Sequence, residues 1–179
     1  VYEMLDRIGF RKKHYSTLRY LSQAGGNLNK KTKQRFLNYS LENKLEFFIM
    51  YGQTEATARI SFVPPIKLLE KITSIGLPIL NGKLSIDKET NELIYKGPNV
   101  FGGYAKNLQD LSNWDVIKRL YTGDLARKDE DGFYFITGRM NRFVKILGNR
   151  VNLDELESIF KNKLGGINLA CIGLNDKNV

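Results

Sequence analysis

The string Tyr51-Gly52-Gln53-Thr54-Glu55 places an aromatic plane, a hydroxyl and a carboxylate on one short turn. A tyrosine ring can stack on a nucleobase, a threonine hydroxyl can donate to a phosphate oxygen, and a glutamate can hold a hard cation such as Mg2+ through oxygen. Gly52 would admit close backbone approach. The competing reading is a strand end whose threonine caps a helix. Farther on, Leu120-Tyr121-Thr122-Gly123-Asp124-Leu125 fixes a carboxylate behind a glycine turn, where it can accept hydrogen bonds from the vicinal hydroxyls of a ribose. An aspartate that only closes a turn is the alternative. Upstream, Ala24-Gly25-Gly26 lets the chain turn sharply or approach a ligand closely.

Secondary-structure elements must bring these groups together. Residues 18–22 read as a strand running into the Gly25-Gly26 loop, and residues 45–51, mostly apolar, as a second strand internal to a sheet. Between them, 29–43 reads as a surface helix with a narrow buried stripe at Phe36, Leu37 and Leu41. Such a β-α-β unit delivers both strand-end loops to the same sheet edge. Pro64-Pro65 then breaks the chain, and short strands follow. Residues 83–87 and 92–96 flank a hairpin turn at Lys88-Glu89-Thr90-Asn91, and Arg127 and residues 133–136 flank another, giving a small β-rich layer. A third hairpin, 142–147 with 150–152, turns through Gly148-Asn149. Asn152 with Glu155 resembles a capping box for a helix over 153–163, ended by Gly165-Gly166, and 168–174 reads as a strand burying Cys171. The expectation is a mixed α/β fold with a domain junction at 138–141. Residues 1–139 would close a large domain, and 140–179 would open a small α+β one.

The two motifs, followed by Gly132-Phe133-Tyr134-Phe135-Ile136-Thr137-Gly138-Arg139 and by the run from Arg142 through Lys145, Gly148 and Asn152 to Glu157, resemble the adenylate-forming superfamily. That superfamily includes acyl-CoA synthetases, luciferases and adenylation domains of peptide synthetases. The resemblance covers the chain from about residue 18 onward. It implies that Tyr51 meets the adenine of ATP or AMP, Thr54 the α-phosphate and Glu55 the Mg2+ ion. Gly25 and Gly26 would line the adenine, Asp124 would bind the ribose, and Arg139 ribose or phosphate. Lys145 would act in the second half-reaction, and Asn141 would be the hinge, where the family carries Asp or Lys. The implied reaction activates a small carboxylic acid as an acyl-adenylate and passes the acyl group to CoA or a pantetheinyl carrier protein. The family's phosphate loop and its distal lysine are not found in the sequence, so the chain is expected to be an internal piece, inactive alone, and its uncovered apolar faces to favour self-association.

Composition narrows the alternatives. The chain has 179 residues, 42% apolar, and one histidine and one cysteine, His14 and Cys171. Neither a histidine-based zinc site nor a Ser-His-Asp triad can be built from that inventory. With no long apolar run, a cytoplasmic location without a membrane span is expected. The net charge of +9 is concentrated in residues 1–44, which hold ten Lys/Arg against three Asp/Glu. The competing function is therefore a non-catalytic basic module binding nucleic acid or a partner. Lacking interleaved aromatic platforms, the basic segment reads instead as solvated helix faces, and nucleic acid is not the expected partner.

Overall fold

A computed structural model describes residues 1–112, 117–146, 149–165, 167 and 169–173. After α1 (Tyr2–Arg7), the strand-helix-strand unit consists of β1 (Tyr20–Gln23), α2 (Lys30–Glu42) and β2 (Glu46–Tyr51). β1 and β2 pair in parallel, so the loops that leave their C-terminal ends, 24–29 and 52–59, lie side by side. Asn29 caps α2, its side chain accepting the Thr32 N–H at 2.8 Å. β2 is internal, as its apolar run requires: β3 (Ser61–Val63) pairs antiparallel on its other edge, and β4 (Leu77–Pro78) completes a four-stranded mixed sheet. Pro65 opens a short 3-10 turn that leads into α3 (Leu68–Lys71).

Phe36 and Leu37 of α2 pack on Phe47 and Ile49 of β2, with Val63, Leu68, Ile72 and Phe133 closing the cluster. The buried stripe of α2 runs through Thr32, Lys33, Phe36, Leu37 and Ser40. Leu41, expected on that stripe, is 59% exposed, because it falls about a third of a turn from the stripe's axis. Lys33 corrects a second expectation. It belongs to the basic segment read as solvated, yet it is only 5% exposed.

A second sheet is antiparallel throughout: β5 (Lys83–Ile86), β6 (Glu92–Lys96), β7 (Leu120–Lys128) and β8 (Tyr134–Arg139), in that spatial order. Both expected hairpins are present within it. The segment 74–76 joins the sheets: Ser74 Oγ donates to the Tyr134 carbonyl at 2.7 Å, and the Ile75 N–H donates to the same carbonyl at 2.9 Å. Gly76 sits in the left-handed region with the Phe62 backbone where a Cβ would be, so the close approach of this segment to β3 depends on a glycine there.

Beyond a short turn at Met140–Arg142, β9 (Phe143–Ile146) pairs antiparallel with β10 (Asn149–Asn152), and α4 (Leu153–Lys163) follows. Gly148 of the expected hairpin turn and Gly166 lie outside the described residues. Asn152 caps α4, accepting the Asp154 N–H at 2.9 Å, and Gly165 takes a left-handed conformation just past the helix end. The strand expected at 168–174 is not present among the described residues 169–173. Instead of a ladder, side chains satisfy the Cys171 backbone: its N–H donates to Glu157 Oε1 at 2.7 Å and its carbonyl accepts from Arg142 at 2.9 Å. Among the described residues, no helix is long and apolar enough to cross a membrane.

Candidate functional site

The parallel pairing of β1 and β2 sets two loops beside the middle of β7 and the end of β8, and the space between them is a cleft of about 980 Å³. That volume suits a nucleotide-sized ligand. Gly25, Gly26, Tyr51, Thr54, Glu55, Asp124, Arg139 and Asn141 all line it. Lys145 lies on β9 opposite Arg150, and its side chain is outside the described residues.

Asp124 is the most tightly held of these groups. Its side chain is 9% exposed. Oδ2 accepts the Tyr51 hydroxyl at 2.6 Å, and Oδ1 pairs with Arg139 Nε at 3.0 Å. The Asp124 N–H donates to Thr122 Oγ1 at 3.2 Å, and the preceding Gly123 N–H donates to the buried Glu92 carboxylate at 2.8 Å. The carboxylate therefore bonds across the cleft instead of closing its own turn. Burial, followed by the hydrogen bond to Asp124 and that group's charge, pushes the Tyr51 hydroxyl pKa well above the ordinary tyrosine value. Tyr51 stays a proton donor and orients Asp124, a role beyond offering its ring.

Thr54 and Glu55 occupy the short 3-10 turn Thr54–Ala56. Gln53, not Thr54, occupies the cap position of this turn, and it makes no side-chain cap hydrogen bond, which removes the capping reading. Thr57 and Ala58 then adopt left-handed angles, at a cost of about 1–2 kcal/mol per non-glycine residue. The Asn99 amide holds this strained path in place by donating to the carbonyls of Ala56 at 2.7 Å and Arg59 at 2.8 Å. The glycine at 52 serves the same path. A Cβ there would run into the Ala58 carbonyl, so the close approach that Gly52 allows is by the chain itself. At Gly25, with φ +82°, and at Gly26, an added Cβ would meet nothing, and that loop borders open space.

Glu55 is half-buried, with one carboxylate oxygen accepting the Tyr104 hydroxyl. That bond raises the Tyr104 pKa. Among the described residues, no group of three or more His, Cys, Asp or Glu side chains could cage a metal. One carboxylate beside a threonine hydroxyl does suit Mg2+, which usually takes one or two protein carboxylates and completes its shell with water and phosphate oxygens. At the cleft's edge, Asn141 is exposed in the Met140–Arg142 turn. Arg142 beside it pairs with Asp154 at 2.8 Å and with Glu157.

Sequence reasoning missed four contributors. Glu92 and Thr122 hold the Gly123-Asp124 turn, Tyr104 holds Glu55, and Lys33 lines the cleft beside the Gly25-Gly26 loop. Only Lys33 carried a local signal, since it lies three and four residues before Phe36 and Leu37 and so shares their helix face.

The AMP-binding enzyme family matches residues 1–105. The chain belongs to that family. It is 27% identical over 186 residues to the 2-succinylbenzoate–CoA ligase of Bacillus mycoides, covering 98% of this chain and 37% of the relative. The O-succinylbenzoate coenzyme A synthetase of Bacillus subtilis, solved in an unliganded form, superposes with a TM-score of 0.70 at 24% identity over 89% of this chain and 36% of that one. The same enzyme in complex with ATP and magnesium ion gives 0.68 at 23% identity over 90% and 35%. VinN, solved in complex with L-aspartate, gives 0.58 at 29% identity over 76% and 35%. The chain thus spans 37% of the length of the curated relatives it matches.

Proposed function

We propose that this chain carries the nucleotide site of an ATP-dependent acid–thiol ligase. In the first step a carboxylate oxygen attacks the α-phosphorus of ATP and the bond to pyrophosphate breaks, leaving an acyl-adenylate. In the second, a thiol sulfur attacks the acyl carbon and AMP departs. The observation that carries this reading is the convergence of Asp124, held by Tyr51 and Arg139, with Thr54 and Glu55 on one cleft. Asp124 accepts the ribose hydroxyls, Tyr51 and the Gly25-Gly26 loop flank the adenine, and Thr54 donates to the α-phosphate. Arg139, mostly exposed and already beside Asp124, contacts ribose or phosphate. Glu55 would hold Mg2+, which when bound neutralises charge on the phosphate oxygens. Transfers of this kind need positioning and charge stabilisation more than covalent help, which suits the residues present.

CoA is the proposed acceptor, supported by the relatives' names, with a pantetheinyl carrier protein as the other thiol source. Residues 1–139 belong in this reading to the large domain and 140–179 to a small mobile one, with Asn141 as hinge and Lys145 serving thioester formation. The cytoplasm, where ATP and CoA are available, is the proposed location, and self-association through uncovered apolar faces is a further expectation. The test is carboxylic-acid-dependent exchange of pyrophosphate into ATP, which the whole protein should catalyse and residues 1–179 alone should not. Binding of neither ATP nor AMP by the whole protein would sink the reading.

A further inference from the structure

Glu55 is the carboxylate assigned to Mg2+, and the chain around it gives it little regular support. It sits in a single 3-10 turn, Thr54–Ala56, followed by the left-handed residues Thr57 and Ala58. A glutamate side chain on such a loop samples several rotamers, and ordering it for a metal costs entropy. The segment 99–104 meets that loop in both backbone and side chain. Asn99 Nδ2 donates to the Ala56 and Arg59 carbonyls at 2.7 and 2.8 Å, and its Oδ1 accepts the hydroxyl of Tyr95, fully buried on β6, at 2.6 Å. The Tyr95 bond fixes which way the Asn99 amide faces. The Phe101 N–H donates to the Glu55 carbonyl at 2.9 Å, and the Tyr104 hydroxyl donates to a Glu55 carboxylate oxygen. Both ends of Glu55 are thus gripped from the same short segment.

Burial does not force the Tyr104 bond. Tyr104 is 70% exposed, so water could satisfy its hydroxyl. Instead the ring stands edge-on to Phe101, with centroids 4.9 Å apart and an interplanar angle of 81°, and Gly103, at φ +119°, makes the bend between the two. An exposed bond of this kind contributes little to stability, because unfolding exchanges it for a bond to water. Its effect falls on the direction of the carboxylate. Carboxylates that ligate metals are themselves hydrogen-bonded, and such partners hold the ligand in the orientation the ion needs. Resting on the ligase reading and its assignment of Glu55, we infer that Tyr104 is a positioning residue for the metal end of the cleft, its hydroxyl staying on the Glu55 carboxylate and aiming it at the Mg2+ of the nucleotide. Asn99, anchored on Tyr95, holds the backbone beneath.

The experiment is calorimetric titration of the whole protein, without acid substrate, with ATP in excess Mg2+, with ATP after the metal is removed by chelator, and with AMP. The wild type should bind ATP more tightly with Mg2+. Tyr104→Phe, which keeps the ring, should lose roughly tenfold to a hundredfold in affinity for Mg2+-ATP and nothing for metal-free ATP or AMP, with an unchanged melting temperature. In a Glu55→Gln background the same substitution should have no further effect, and an undiminished loss there overturns the inference. Equal losses with and without metal would mean loop damage and also overturn it. So would unchanged affinity for Mg2+-ATP in Tyr104→Phe, or tighter binding, which would make Tyr104 a competitor of the ion. A wild type that binds ATP equally well without Mg2+ overturns it too, leaving the nucleoside assignments standing. Failure of the wild type to bind either nucleotide sinks the ligase reading itself.

Discussion

Replacing Asp124 with asparagine keeps the shape of the side chain and removes its charge. The expected effect follows from counting acceptor sites. An ionised carboxylate offers about four lone-pair directions. One on Oδ2 is taken by the Tyr51 hydroxyl at 2.6 Å and one on Oδ1 by Arg139 Nε at 3.0 Å, which leaves one on each oxygen for a ribose hydroxyl. Asparagine retains one oxygen, and Tyr51 claims part of it; the new amide N–H points at another donor, Arg139. One ribose bond is lost and the other becomes neutral. With hydrogen bonds to charged groups contributing about 1.5–3 kcal/mol, AMP should bind Asp124→Asn roughly tenfold to a hundredfold more weakly. The Arg139 pair adds little to stability, because the arginine side chain is 67% exposed, so the melting temperature should barely move. Calorimetric titration with AMP and with 2′,3′-dideoxy-AMP separates a lost ribose contact from general damage. The wild type should prefer AMP and the variant should be nearly indifferent. A variant that keeps the wild-type preference for the ribose hydroxyls would refute the assignment.

Three further outcomes are expected. Glu92→Leu strands the Gly123 N–H and should cost about 1–3 kcal/mol of stability by chemical denaturation, while also weakening AMP, since the Asp124 turn loses its anchor; unchanged AMP binding would show that the turn holds itself. Because the folded-state pKa of Lys33 is lowered, the folded chain carries a penalty that is full below that pKa and vanishes as pH rises to the unfolded value of 10.5. Lys33→Met should therefore gain stability over the wild type at neutral pH and lose that advantage as pH approaches that value, and a pH-independent difference would contradict the burial argument. Asn141→Pro should fix the turn at Met140–Arg142, whose 3-10 angles proline accepts, and slow thioester formation from a supplied acyl-adenylate by more than about tenfold while slowing adenylate formation less. Equal losses in both steps would indicate simple destabilisation.

The parts of the fold legible in the sequence were those fixed by short-range rules. The apolar run of β2, the Asn29 and Asn152 caps, and the hairpin turn residues at 88–91 each settle a few neighbouring dihedrals locally. β3 and β4 were invisible because three-residue and two-residue strands leave no periodicity, and exist only because β2 offers an edge to β3 and β3 offers one to β4. The same distinction divides the site. Tyr51 and Asp124 stood out by type and spacing, but their 2.6 Å bond joins residues 73 apart in sequence and depends on two sheets meeting at Ser74–Gly76. Tyr104 comes from a stretch without regular structure, so nothing in its neighbourhood pointed to Glu55.

The two halves of the cleft differ in how firmly they are built. Asp124 is fixed from three strands: Tyr51 on β2, Arg139 on β8, and Thr122 on its own strand, β7, with Glu92 on β6 holding the residue before it. Every one of those partners stands on a sheet, and rigid elements hold a binding group to tighter tolerance than loops do. Glu55 has a different support. Its side chain is held by Tyr104, itself 70% exposed, and its backbone by Phe101 and by a path through two left-handed residues. Strain of that kind persists where surrounding contacts over-determine it, and here the contacts come from Asn99 and the 101–104 segment. A ribose would thus meet a carboxylate already in place. A Mg2+ ion and its phosphates would have to draw Glu55 away from Tyr104 or share its oxygen. On the proposed reading, the nucleoside end of the ligand would be recognised by a prebuilt site and the phosphate end by one that completes itself on binding, which would put affinity at Asp124 and adjustability at Glu55.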